Sequence, residues 1–124
     1  MKLDLRGQTV TAQEFGYTLS LATSGGYEVH IEKDYSICSP QGVRSFSPDP
    51  SNVDSEQVRA LAERDIVSLV AEESGVLTVA FPDGISLRGE PSDAYEAWNV
   101  TGPGGMRVVC MPGGELAKWG AEQE

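Results

Sequence analysis

Two stretches of this chain alternate apolar and polar residues on either side of a short glycine turn, and nothing else in the sequence limits the fold so strongly. Leu77, Val79 and Phe81 alternate with Thr78 and Ala80; after Pro82-Asp83-Gly84, Ile85 and Leu87 alternate with Ser86 and Arg88. A period of two places the apolar set on one face of a strand, so the stretch reads as a β-hairpin. A two-residue Asp83-Gly84 turn would set Phe81 opposite Ser86. A three-residue loop sets Phe81 opposite Ile85 and Val79 opposite Leu87, and only that register keeps the apolar face together. The longer loop also suits proline at the first turn position and glycine at the left-handed one.

A weak copy of this pattern precedes it by 58 positions, with Leu19, Leu21, Gly26 and Val29 matching Leu77, Val79, Gly84 and Leu87. Carried back, the offset makes Ser24-Gly25-Gly26 the loop and sets Thr23 opposite Tyr27, Leu21 opposite Val29 and Leu19 opposite Ile31. Extended segments at 9–14 and 66–72 turn each hairpin into a three-stranded meander, over about 9–32 and 66–90. Between them a helix is predicted over 54–64. Asp54 is its cap with Gln57 three residues on, Val53 and Val58 form a hydrophobic staple, and Val58, Leu61 and Ala62 supply an apolar stripe. After Pro91 a closing hairpin is expected, with strands at 95–100 and 106–111 around Thr101-Gly102-Pro103-Gly104-Gly105, followed by a short strand at 116–119. The expected architecture is one globular domain over 1–119 with a frayed tail at 120–124. It is mainly β (α+β), an antiparallel twisted sheet or partly closed barrel built from two similar meanders plus a C-terminal hairpin, with one α-helix against it.

The chain carries 19 acidic and 9 basic residues, a formal charge of −10 over 124 residues, distributed as −3 over 1–62 and −7 over 63–124. Such a field repels phosphate backbones and anionic lipid, whose binding rests on neutralisation by Lys and Arg. Neither nucleic acid nor a membrane is therefore an expected partner. A basic protein surface is attracted instead, chiefly through a faster encounter. Charges in Met1-Lys2-Leu3-Asp4-Leu5-Arg6 stand where a signal peptide needs its apolar core, so the cytoplasm is the expected compartment. Cys38 and Cys110 lie 72 positions apart without a CxxC spacing and read as small buried apolar residues rather than a disulfide or metal pair.

His30 is the only histidine, so imidazole chemistry must use it. In the hairpin register it shares a polar face with Ser20 opposite and with Glu28 and Glu32 two positions to either side. A Ser-His-Glu set follows on paper, yet groups two apart on a strand stand about 6.5 to 7 Å apart at the backbone. Neither a strained nucleophile turn nor oxyanion donors are evident. The second meander has Thr78, Ser86, Arg88 and Glu90 in the equivalent places, which reads as a solvated face built twice. No catalytic residues are assigned. One His, two distant Cys and scattered carboxylates do not converge on a metal, and the glycine clusters at 102–105 and 112–114 precede no helix and lack the Gly-Lys-Ser/Thr of a phosphate loop. No cofactor is expected. Trp98 and Trp119 stand at alternating strand positions and read as caps of a β core.

The C-terminal motifs carry a resemblance. Asp93-Ala94-Tyr95-Glu96-Ala97-Trp98 and Met111-Pro112-Gly113-Gly114-Glu115-Leu116-Ala117 resemble the small, mostly actinobacterial domain-of-unknown-function family 6188, with its Tyr-Glu-Ala-Trp and Pro-Gly-Gly-Glu-Leu-Ala stretches. The likeness runs over nearly the whole chain, from Leu5-Arg6-Gly7-Gln8-Thr9-Val10 onward, and is most specific after Ser92. The proline-containing stretch 45–52 departs from it. The resemblance implies no activity and carries no catalytic residues.

Small size, surplus acid and no complete catalytic set point to a protein-binding domain. The leading expectation is an immunity-type antidote that docks on a toxin domain or another basic partner, through Glu72, Glu73, Asp83, Glu90, Asp93 and Glu96. The alternative is a small-molecule-binding β domain with an apolar cleft lined by Tyr95, Trp98 and Met106. A hydrolase using His30 ranks third.

Overall fold

The computed structural model describes residues 1–51 and 55–120. Both hairpins form in the register that the apolar faces require. β3 (Leu19–Thr23) and β4 (Glu28–Ile31) pair Leu21 with Val29 and Leu19 with Ile31. β8 (Leu77–Ala80) and β9 (Ser86–Gly89) pair Val79 with Leu87. A backbone bond closes each loop, Thr23 N to Tyr27 O at 2.9 Å and Phe81 N to Ile85 O at 2.8 Å, and in the first Gly26 N also donates to Thr23 O at 3.1 Å. In the second loop Asp83 joins Gly84 in the left-handed region, with φ of 68° and 75°. Aspartate tolerates that region better than most residues.

β2 (Val10–Phe15) completes the first meander and β7 (Ser68–Ala71) the second. The two meanders lie in different sheets, and each sheet is finished by strands from the other half of the chain. The hairpin β5 (Tyr35–Ser39) and β6 (Gly42–Phe46) adds to β9. The hairpin β10 (Trp98–Thr101) and β11 (Arg107–Cys110) adds to β4. With β1 (Lys2–Leu3) and β12 (Leu116–Trp119) at the edges, the orders are β1-β7-β8-β9-β5-β6 and β12-β11-β10-β4-β3-β2. Both six-stranded sheets are antiparallel and neither closes into a barrel.

The inner faces share one core, to which Leu69, Leu77, Val79, Leu87, Tyr35 and Ile37 contribute from one sheet and Leu19, Leu21, Val29, Ile31, Trp98 and Val100 from the other. Trp98 is fully buried. Gly89 on the facing sheet lies beside its ring: a Cβ there would stand 3.6 Å from Trp98 Cδ1 and 3.8 Å from the Ile31 methyl carbons, at ordinary van der Waals contact.

Four expectations need correction. The helix is a single turn, α1 (Glu56–Arg59), not 54–64. The chain leaves it through Ala60, reaches φ 65° at Glu63, and residues 63–65 pair with the start of β2 instead of continuing the helix. Ser55 caps it, its Oγ accepting from Val58 N at 3.4 Å. The expected cap Asp54, the staple residue Val53 and the tail residues 121–124 lie outside the described residues. The strand expected from Tyr95 begins at Trp98, because the chain bends through 93–95. Cys38 is only half-buried, since its pairing with Ser86 and Val43 puts it on the outer row of its sheet. Trp119 ends an edge strand and stays 53% exposed, with the Arg107 guanidinium 5.9 Å from its ring centroid. It therefore stacks on the surface instead of capping the core.

Candidate acidic docking end

Both sheets end together. Phe15, Leu19, Ile31 and Trp98 form the last row of one sheet, and Ala71, Leu77, Gly89 and Tyr35 that of the other. The segments leaving these rows are 16–18, 32–34, 72–76, 90–97 and 111–115. The last three are tied by polar contacts at the edge of the core. Trp98 Nε1 donates to Gly75 O at 2.8 Å, and Cys110 Sγ approaches the same oxygen at 3.5 Å. Gly75 itself has φ 95°, and a Cβ there would stand 2.7 Å from Gly114 Cα and 2.9 Å from Pro91 Cβ. Gly113 N donates to Ser92 O at 2.8 Å, and Ser92 Oγ accepts from Ala94 N at 3.1 Å. Burial pushes the Cys110 thiol up, against a smaller opposing hydrogen bond from the Ala97 backbone.

This end displays Glu72, Glu73, Glu90, Asp93 and Glu96, all exposed. Five of the six acids singled out from sequence therefore share one end. Asp83 does not: it tops the turn at the far end of β8, about 13 Å of strand away. Sequence reasoning missed four members of the group. Glu32 and Asp34 on the β4–β5 link and Glu115 on the β11–β12 turn are exposed at the same end, as is Tyr17 in the β2–β3 turn. The available signal for Tyr17 was its place in a turn, where an aromatic ring has no strand face to bury against. Tyr17 is 80% and Tyr95 45% exposed, so two aromatic rings stand among the carboxylates. Among the described residues only Glu90 of this group makes an ion pair, with Arg88 at 2.9 Å. Glu73, Glu115 and Lys118 line a shallow groove of about 230 Å³ here.

The cleft residues are not brought together. Trp98 and Met106 are closed inside the core toward opposite ends of the sandwich, Tyr95 is on the surface, and none of the three lines a groove described here.

The His30 row corrects the distance argument made from sequence. Ser20 Oγ and His30 Nδ1 lie 2.9 Å apart, and His30 Nε2 lies 3.1 Å from Glu28 Oε1. The backbones are still two residues apart, but the glutamate side chain is long enough to swing back along the strand. A recess of about 90 Å³ between Ala12, Glu14, Ala22 and this row adjoins it. The neutral tautomer that satisfies both contacts has Ser20 donating to Nδ1 and Nε2 donating to Glu28. β3 is an internal strand, so the amides flanking Ser20 are committed to β2 and β4 and cannot serve a developing oxyanion. Among the described residues no group of three or more His, Cys, Asp or Glu is placed to hold a metal ion, and no helix is long and apolar enough to cross a membrane.

Two antiparallel sheets packed across one core, with the polar groups of interest on turns, define a β-sandwich whose exposed loops rather than its interior present the chemistry. The chain belongs to the family of unknown function DUF6188, whose model matches residues 1–120. No curated protein and no solved structure matches the chain.

Proposed function

We propose that this is an acidic protein-binding domain, an immunity-type antidote that occupies a basic toxin domain or another basic partner. One observation carries the reading: five separate segments deliver exposed carboxylates and two exposed tyrosines to one end of the sandwich. Carboxylates outnumber Lys33 and Lys118 at this end; a surplus of one charge raises the encounter rate with an oppositely charged surface, and tyrosine supplies contact area at low entropic cost. The Trp98 to Gly75 bond beneath it anchors the 72–76 and 90–97 segments to each other, which favours a surface organised before a partner arrives. The two meanders, spaced by 58 positions, also fit a domain grown by internal duplication.

The test is charge reversal with an internal control. Glu72→Lys with Glu73→Lys should slow association with the cognate partner at least tenfold and change dissociation by less than threefold, whereas Asp83→Lys at the opposite end should change neither. Equal effects from the two variants would mean that net charge, not this end, steers the encounter. A second reading, hydrolysis through His30, is favoured by the Ser20–His30–Glu28 contacts and is tested separately below.

A further inference from the structure

β2 is an edge strand that the described residues cover only in part. At its start Thr9 bridges Asp65 in antiparallel sense, Val10 N donates to Arg64 O at 3.0 Å and Glu63 N donates to Val10 O at 2.7 Å. The covering segment then peels away at Glu63, whose φ of 65° breaks the extended run, and leads back to α1. From Ala12 to Phe15, among the described residues, the backbone pairs on one side only, with β3, and Thr11 sits where the β2–β3 register shifts. The open side widens into a groove of about 590 Å³ between β2 and α1, lined by Thr11, Ala12, Gln13, Phe15, Glu56 and Glu63, with Arg59 the one base. The Gln13 side chain bridges the two walls, its Nε2 donating to Val58 O at 2.8 Å.

We propose that an extended, basic segment of the partner lies in this groove and adds as an antiparallel strand to β2, continuing the ladder that residues 63–65 begin; this rests on the reading of a basic partner given above. An uncovered edge offers a row of unpaired amides and carbonyls, the template used when a peptide joins a sheet. Thr11 to Phe15 span about 17 Å, room for a strand of similar length. The direction is set by continuity with the strand segment already docked there. The side-chain preference follows from charge: Glu56 and Glu63 outnumber Arg59 on the wall, so lysine or arginine at alternate positions of the incoming strand is favoured. A second copy of this chain is a poor occupant, since each copy carries −10.

The experiment titrates the isotope-labelled full chain, followed by amide NMR, with a capped lysine-valine-lysine-valine-lysine peptide and with the same peptide N-methylated at the central lysine and the adjoining valine, so that either edge of the incoming strand loses a donor. N-methylation removes strand donors and leaves the charge unchanged. The proposal predicts saturable shifts confined to 11–15 and 56–63, slower amide exchange in 11–15, and at least tenfold weaker binding of the methylated peptide. Equal binding of both peptides, or no saturable shift with either, overturns it. Shifts centred on 72–76 and 90–97 also overturn it while leaving the acidic end standing as the docking surface. Shifts at 11–15 that grow with protein concentration alone would assign the edge to self-pairing and overturn it too.

Discussion

Replacing Trp98 by phenylalanine probes a buried polar link between the facing sheets. The indole is fully buried and its Nε1 donates to Gly75 O at 2.8 Å. In Trp98→Phe that carbonyl keeps only the Cys110 thiol, a weak donor at 3.5 Å. Leaving a buried acceptor so poorly satisfied costs about 1 to 3 kcal/mol. The smaller ring adds a void of about 40 Å³, worth about 1 kcal/mol at the usual cavity coefficient. Together these give about 2 to 4 kcal/mol out of a total of about 5 to 15, or a fall in Tm of roughly 10 °C for a domain of this size. Urea denaturation followed by circular dichroism measures it, with Trp119→Phe as the control. Trp119 is 53% exposed, so its replacement should stay within about 0.5 kcal/mol. A Trp98→Phe loss below about 0.5 kcal/mol would refute the idea that this bond ties the loop end together.

Gly75→Ala should cost about 2 to 4 kcal/mol, combining left-handed backbone with contacts that cannot yield, while Gly104→Ala, at φ 73° with nothing within 4 Å of a new Cβ, should cost only about 1 to 2; thermal unfolding of the pair reads the difference. In native protein a thiol reagent should label half-buried Cys38 and spare buried Cys110, with both labelled in denaturant. Because burial raises the Cys110 pKa above its ordinary 9.0, the folded state holds this proton more tightly than the unfolded one, so the Cys110 contribution to stability is full below that pH and is lost as pH rises above it. Wild type should then lose stability with rising alkaline pH more steeply than Cys110→Ala. Hydrolysis of 4-nitrophenyl acetate should be the same within twofold for wild type, Ser20→Ala and His30→Ala, since β3 leaves no amide free for an oxyanion; a tenfold drop in either variant would favour the hydrolytic reading.

Local rules were legible wherever one face had to be buried. The loop lengths at 24–26 and 82–84 followed from keeping Leu21 with Val29 and Val79 with Leu87 on one side, and the structure has those pairs. What period-two alternation cannot encode is which sheet a strand joins. Nothing local to Tyr35 or Trp98 says that each hairpin crosses to the opposite meander, where Tyr35 meets Gly89 and Trp98 meets Ile31. The helix was overcalled because the stripe of Val58 and Leu61 is satisfied by one turn and the following turn alone. Convergence of Glu72, Glu73, Glu90, Asp93 and Glu96 depends on which end each turn occupies, and Asp83 shows that sequence proximity misleads there. The Ser20–His30 contact was legible as a cross-strand pair; the reach of Glu28 was not, because it depends on a side-chain rotamer.

The most direct test of a docking role is the association rate of this chain with its partner from the native host, captured on immobilised protein and then purified, measured across ionic strength. A steered encounter predicts a one-to-one complex whose association rate falls at least tenfold between about 20 and 500 mM salt, as the Debye length shrinks from about 20 to about 4 Å, while dissociation changes little. An association rate independent of salt, or a host extract that yields no stoichiometric partner, would contradict it.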